Sequence, residues 1–147
     1  MIEADVPRRQ LFRLVYASRF AGRERDLDEV LRAIIARSIQ NNRQVDVTGF
    51  LIAGAGGFLQ LLEGPREGVE ETYARIGHDA RHSDLVLIGA GHVERRLFRD
   101  WNMGQHRVSA ADRALLSEVG LPEFEPARLD AETAVRLLKA AGARHLR

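Results

Sequence analysis

The chain of 147 residues has no cysteine. That excludes disulfides, thiolate metal sites and cysteine nucleophiles. No apolar run approaches the roughly 20 residues needed to cross a membrane. Residues 1–10 carry charges of both signs and no apolar core, so no secretory signal is expected there and a cytoplasmic protein follows by default. Charge of one sign is also missing: 22 basic residues face 21 acidic ones, too even a balance to recruit nucleic acid or an anionic membrane. Lys139 is the only lysine, a composition bias rather than a functional signal. Repeats and low-complexity tracts are absent.

What is present is an ordinary globular profile, 45% apolar and 29% charged, at a length suited to one domain. Residues 11–18 (LFRLVYAS) read as a first strand, with Phe12, Leu14, Tyr16 and Ser18 on one face. A capping box over 26–29 opens a helix whose stripe is Leu27, Val30, Leu31, Ile34, Ile35 and Ser38, and Asn41-Asn42 is expected to end it. Two β-like runs, 45–53 and 58–63, flank the glycine-rich 54–57 and predict a hairpin. Pro65 then begins a second helix with Val69, Thr72, Tyr73 and Ile76 inward, ending at Gly77.

Residues 84–93 and 97–104 read as two more strands joined around 94–96, with Trp101 and Met103 sharing a face of the last. The order β-α-β-β-α-β-β suits an α+β, ferredoxin-like sheet with both helices on one face. Ser109 with Asp112 opens a short helix ending at Gly120. The stretch 121–129 is a linker, and Asp130 caps a last helix with the stripe Ala134, Val135, Leu137, Leu138 and Ala141. The expected division is 1–107 for the sheet domain and 108–147 for a helical extension packing on the open sheet face or on a partner.

Two polar residues stand on strand faces that should be apolar: Tyr16 between Leu14 and Ser18, and Gln60 between Phe58 and Leu62. A buried glutamine needs partners, since an unsatisfied amide costs roughly 1–3 kcal/mol. On residue types alone, a purely structural tyrosine–glutamine pair accounts for them at least as well as a ligand site does.

Longer segments point further. L-x-R-L-V-Y-A-S-R at 11–19, N-N-x-x-x-x-V-T-G at 41–49, F-L-Q-L-L-E-G-P at 58–65, D-x-R-H at 79–82 and R-x-F-x-x-W-x-M-G at 96–104 resemble the BLUF (blue-light-using flavin) family, in one order and without large gaps. The resemblance implies a blue-light photoreceptor, not an enzyme, holding an oxidised flavin between the two helices. FAD is the usual cofactor, and FMN and riboflavin are not separated by the sequence. It implies that Tyr16 bonds Gln60, that Gln60 bonds the N5/C4=O edge of the ring, and that Asn42 anchors the opposite edge. Ser38, Asn41, Arg75, Asp79, Arg81 and His82 would lie near the ring edge, the ribityl chain or the phosphate. Phe58 with Ile34, Ile35 and Ile76 would sandwich the ring. Light-driven electron and proton transfer from Tyr16 through Gln60 would rearrange the flavin's hydrogen bonds, with Trp101 and Met103 relaying the change.

The same resemblance implies a separate downstream protein as recipient of the signal, and a homo-oligomer, since small members commonly form dimers or rings. Other flavin photochemistries lack their residues: a cysteinyl adduct needs a cysteine, and Trp101 is alone. His78 and His82 have H-x-x-x-H spacing, but Gly77 precedes them and no third ligand is evident, so no metal is expected. Gly54-x-Gly56-Gly57 and Gly89-x-Gly91 open no helix and are not dinucleotide loops. As core residues Trp101 and Met103 need no special explanation. The alternative to a photoreceptor is a photochemically silent flavin-binding or interaction module on the same fold, and a small enzyme lacks a nucleophile–base set.

Overall fold

The computed structural model describes residues 10–145; the reading of the N-terminal segment concerns residues 1–10, all but the last of which lie outside them. The elements are β1 (Leu11–Phe20), α1 (Leu27–Gln44), β2 (Thr48–Gly54), β3 (Gly57–Pro65), α2 (Arg66–Gly77), β4 (His82–His92), β5 (Gly104–Arg107), α3 (Arg113–Glu118) and α4 (Ala131–Ala143). They form a five-stranded sheet in the order β4-β1-β3-β2-β5. The first four strands are antiparallel and ferredoxin-like; β5 joins the far edge parallel to β2.

The inner strands β2 and β3 are buried on both faces, which explains why they read as nearly continuous apolar runs. Phe12, Leu14, Tyr16, Leu51, Phe58 and Leu62 face α1 and α2, packing on Leu27, Leu31, Ile35 and Val69. Val15, Ala17, Phe50, Ile52, Leu59 and Leu61 face α3 and α4, packing on Leu115, Leu116, Leu137, Leu138 and Ala141. The C-terminal stripe therefore covers the open sheet face.

Local details follow sequence chemistry in places and depart from it in others. The β2–β3 hairpin turns on Ala55 (φ 49°) and Gly56 (φ 77°), the two left-handed positions of a two-residue loop. Asp130 caps α4 through the Thr133 N–H at 2.7 Å, and Ser109 with Asp112 forms a capping box. The expected box at Asp26 does not form: a 3-10 turn (Glu24–Asp26) precedes α1 and the Asp26 side chain makes no cap bond. Nor do Asn41 and Asn42 end α1. The helix continues to Gln44, and the carbonyl of Asn42 accepts the N–H groups of Val45 and Val47. Asp46, at φ 57°, makes the left-handed turn instead and delays β2 to Thr48.

The larger correction concerns 97–104. No strand forms within 97–103, and β4 and β5 are not a hairpin: they lie on opposite edges of the sheet. The connection crosses the sheet end, tied to it by its own Arg96 and by a carboxylate from β3 that meets its backbone. Arg96 binds Thr48 Oγ1 at 2.9 Å and the Asp46 carbonyl at 2.9 Å, and Glu63 accepts the N–H groups of Leu97 and Phe98. A segment so satisfied needs no strand ladder. Period-two reasoning therefore fails there, and Trp101 and Met103 do not share a face. Met103 enters the α1/α2 side, while Trp101 packs on Phe50 and Phe98 on the α3/α4 side.

Leu137 is fully buried on α4 against the sheet. Leu137→Ala should lower the unfolding free energy by about 2–5 kcal/mol in urea titrations. The sheet and the C-terminal helix should still unfold in one transition, as expected for elements sharing a core.

A candidate ligand cleft over the sheet

A cavity of about 450 Å³ opens between α1, α2 and the sheet. Its apolar walls are Ile34 from α1, Ile76 from α2, and Leu51 and Phe58 from the sheet. Tyr16 and Gln60 lie at its floor, and Arg37, Ser38, Asn41, Arg75, Asp79, Arg81 and His82 stand around it. Apolar walls with a few convergent polar groups suit a planar heterocycle with polar edges.

The floor is set by strand register. Tyr16 and Gln60 are direct cross-strand partners on β1 and β3, each 3% exposed. The Tyr16 hydroxyl donates to Gln60 Oε1, and Gln60 Nε2 donates to Met103 Sδ at 3.2 Å. Burial, with smaller contributions from nearby Tyr73 and Asp79, raises the Tyr16 hydroxyl far above its ordinary pKa. Its ring lies 5.3 Å from that of Tyr73, whose pKa burial also raises.

The rim is built by the turn after α2. Asp79 accepts the Arg81 backbone N–H at 2.9 Å and also pairs with its guanidinium. The hydrogen bond from Arg81 lowers the Asp79 pKa, and the same bond raises that of Arg81. His82 binds the Ile76 carbonyl through Nε2 and the Ser18 hydroxyl through Nδ1, both at 2.8 Å. A carbonyl only accepts, so Nε2 carries the proton, and the ring ties α2 and β4 to β1. Those contacts occupy both nitrogens; among the described residues no cluster of three His, Asp or Glu could hold a metal ion.

The structure thus gathers Tyr16, Ile34, Ser38, Asn41, Phe58, Gln60, Arg75, Ile76, Asp79, Arg81 and His82 around one cavity. Ile35 instead packs into the core behind the wall. Asn42, 1% exposed, stands behind the lining and donates from Nδ2 to the Asn102 carbonyl at 2.8 Å. Met103 reaches Gln60; Trp101 is in the other layer. Sequence reasoning missed Arg37, Leu51, His78 and Ala80. Helical spacing from Ile34 to Asn41 could have found Arg37, and alternation along β2 could have found Leu51.

A family model described as BLUF, sensors of blue-light using FAD, matches residues 11–104. The chain is 31% identical over 99 residues to the photoactivated adenylate cyclase subunit alpha of Euglena gracilis, covering 67% of this chain and 10% of that protein. It is 33% identical over 85 residues to the blue light- and temperature-regulated antirepressor BluF of Escherichia coli (strain K12), covering 58% and 21% respectively. The chain spans only about a tenth of the cyclase relatives, so their cyclase activity is not carried over. Among solved structures, the BlsA photo-activated state aligns with TM-score 0.81 and 25% identity over 90% of this chain and 94% of that one. BlrB, a BLUF protein in its dark state, aligns with TM-score 0.70 and 27% identity over 95% and 99%.

Because the folded pKa of Tyr16 lies above the unfolded value of about 10, the native state holds protons that the unfolded chain releases in alkali. Stability should be intact below pH 10 and fall as pH rises beyond it. Ultraviolet titration should show Tyr16 ionising only with unfolding; a gradual tyrosinate signal from both tyrosines in the folded protein would contradict this.

Proposed function

We propose that this chain, which belongs to the BLUF family, binds oxidised flavin in the cleft and signals blue light through the row Tyr16–Gln60–Met103. The row carries the reading: two buried polar side chains, bonded to each other and to a methionine, face a cavity with room for a heterocycle. Ile34, Ile76 and Phe58 would sandwich the ring. Ser38, Asn41, Arg75, Asp79, Arg81 and His82 would hold its polar edge and side chain, and Arg37 adds a cation at the rim. Asn42 would reach the ring with its amide oxygen or its second amide hydrogen, since Asn102 engages one hydrogen of Nδ2. FAD, FMN and riboflavin share the ring that these walls fit.

When bound, the flavin supplies blue-light absorption and a strongly oxidising excited state. Tyr16 is the electron donor at the cavity floor. In the ground state burial keeps its proton in place; loss of an electron makes the hydroxyl a strong acid, and Gln60 Oε1 is already its acceptor. The electron and the proton then return to Tyr16, and the glutamine is left rotated or tautomerised. Its Nε2 is held only by a thioether sulfur, a weak acceptor, so little opposes its release. The amide presents a changed hydrogen bond to the cavity, and absorption moves to the red.

The output leaves through 97–107 and the helices that follow, to a separate protein or a second copy of the chain. Residues 1–107 act as the sensing part and 108–147 as the extension that passes the change on. Among the described residues no helix is long and apolar enough to cross a membrane.

Purified protein should be yellow, shift reversibly to longer wavelength under blue light, and recover in the dark. Tyr16→Phe and Gln60→Leu should each retain flavin and lose the shift in difference spectra. A flavin-loaded wild type whose spectrum ignores light would leave a silent flavin-binding module. A normal photocycle in either variant would overturn the assigned row.

A further inference from the structure

Glu63 is the one fully buried carboxylate among the described residues. It stands on β3 three residues beyond Gln60 and faces the opposite side of the sheet. Isolation there would be costly, so its partners matter. Arg13 Nε donates to Oε2 at 2.8 Å, and the N–H groups of Leu97 and Phe98 donate to Oε1 at 2.8 and 3.0 Å. Those two residues begin the connection that ends at Met103.

We infer that Glu63 is a positioning residue for the switch, fixing the start of the 97–103 segment and so the place where Met103 meets Gln60. The inference rests on Gln60 being the switch described above. From Phe98 onward the segment is held at several points. The Phe98 and Trp101 rings stack with centroids 6.1 Å apart, and the Trp101 carbonyl accepts the Gly49 N–H at 3.1 Å. The Asn102 carbonyl accepts Asn42 Nδ2, and Met103 follows, buried, with its sulfur on Gln60. A Cβ at Gly49 would stand 2.0 Å from the Leu61 carbonyl oxygen and 3.3 Å from Met103 Cε, so β2, β3 and Met103 approach closely at this point of the path. The contacts close a ring: β3 holds the start of the segment from one face with Glu63 and touches its end from the other with Gln60. Movement of the segment at either end is felt at the other.

A glutamine at 63 keeps the shape and loses one acceptor. Either Arg13 or the loop amides then face an NH₂ group, and a hydrogen bond to charge is exchanged for a clash of donors. The experiment compares flavin-loaded wild type, Glu63→Gln, Met103→Leu and the double variant. Flavin occupancy, dark-recovery rate and the emission of Trp101, the only tryptophan, are the readouts. Expected are unchanged occupancy, a recovery rate altered by roughly an order of magnitude in Glu63→Gln, and a red-shifted Trp101 emission. In the double variant the two effects on recovery should not add, because Glu63 acts through Met103. Wild-type recovery and emission in Glu63→Gln, or full additivity, would overturn the role. Should Glu63→Gln fail to fold, amide hydrogen exchange in the wild type decides: slow exchange at Leu97 and Phe98 supports the clamp and fast exchange overturns it. A wild type without a photocycle would instead sink the photosensor reading, and Trp101 emission and exchange would still judge the clamp.

Discussion

Burying the Gln60 amide at 3% exposure obliges the protein to find a donor for its oxygen and an acceptor for its nitrogen inside an otherwise apolar layer. Cross-strand register supplies the donor, because Tyr16 stands directly opposite on β1. The acceptor has to come from outside the two strands. Met103 fills that place, at the end of a connection that crosses the sheet to bring β5 against β2. Much of the remaining architecture serves this need. Gly49 leaves room beside Met103, Asn42 anchors the preceding carbonyl, and Glu63 holds the start of the segment. The sulfur is the weakest acceptor of the set, which leaves the amide satisfied but not locked.

Covering both faces of the sheet makes such a row possible. With water excluded by α1 and α2 on one side and by α3 and α4 on the other, a buried hydrogen bond is electrostatically stronger and an unmade one more costly. At the cavity on the α1/α2 side helix packing stops short of the strands, and Tyr16 and Gln60 stand there.

The sequence was legible wherever period and neighbouring chemistry agree. Alternation in 11–18 and 58–63 placed Tyr16 and Gln60 on one face, Gly54 to Gly57 announced the hairpin, and Asp130 announced the cap of α4. Most of the cavity lining was also found, but through resemblance rather than spacing. Failures came where long-range contacts override local pattern. An alternating 97–104 looks like a strand until Glu63 and Asn42, distant in sequence, take up its backbone groups. The end of α1 was misplaced because the Asn42 carbonyl caps the turn while Asp46, not an asparagine, takes the left-handed backbone. Glu63 itself drew no notice, since nothing local distinguishes a buried carboxylate from a solvated one.

The same misreading of 97–104 hid the feature with the most consequence for signalling. Had the segment been a strand, Trp101 and Met103 would face one way and a change at Gln60 would stay on the cavity side. As a clamped crossing, it sends Met103 to one layer and Trp101 to the other. Trp101 meets Phe50 and Phe98, and a Cβ on Gly142 of α4 would lie 2.7 Å from the Phe98 ring, so the last helix seats closely on this cluster. In the proposed function, a turn of the Gln60 amide withdraws a hydrogen bond from Met103, and residues two apart on one taut segment respond on opposite faces of the sheet. Close-packed layers shift between discrete arrangements rather than deforming smoothly, so on that reading a small displacement at Met103 would change how α4 sits.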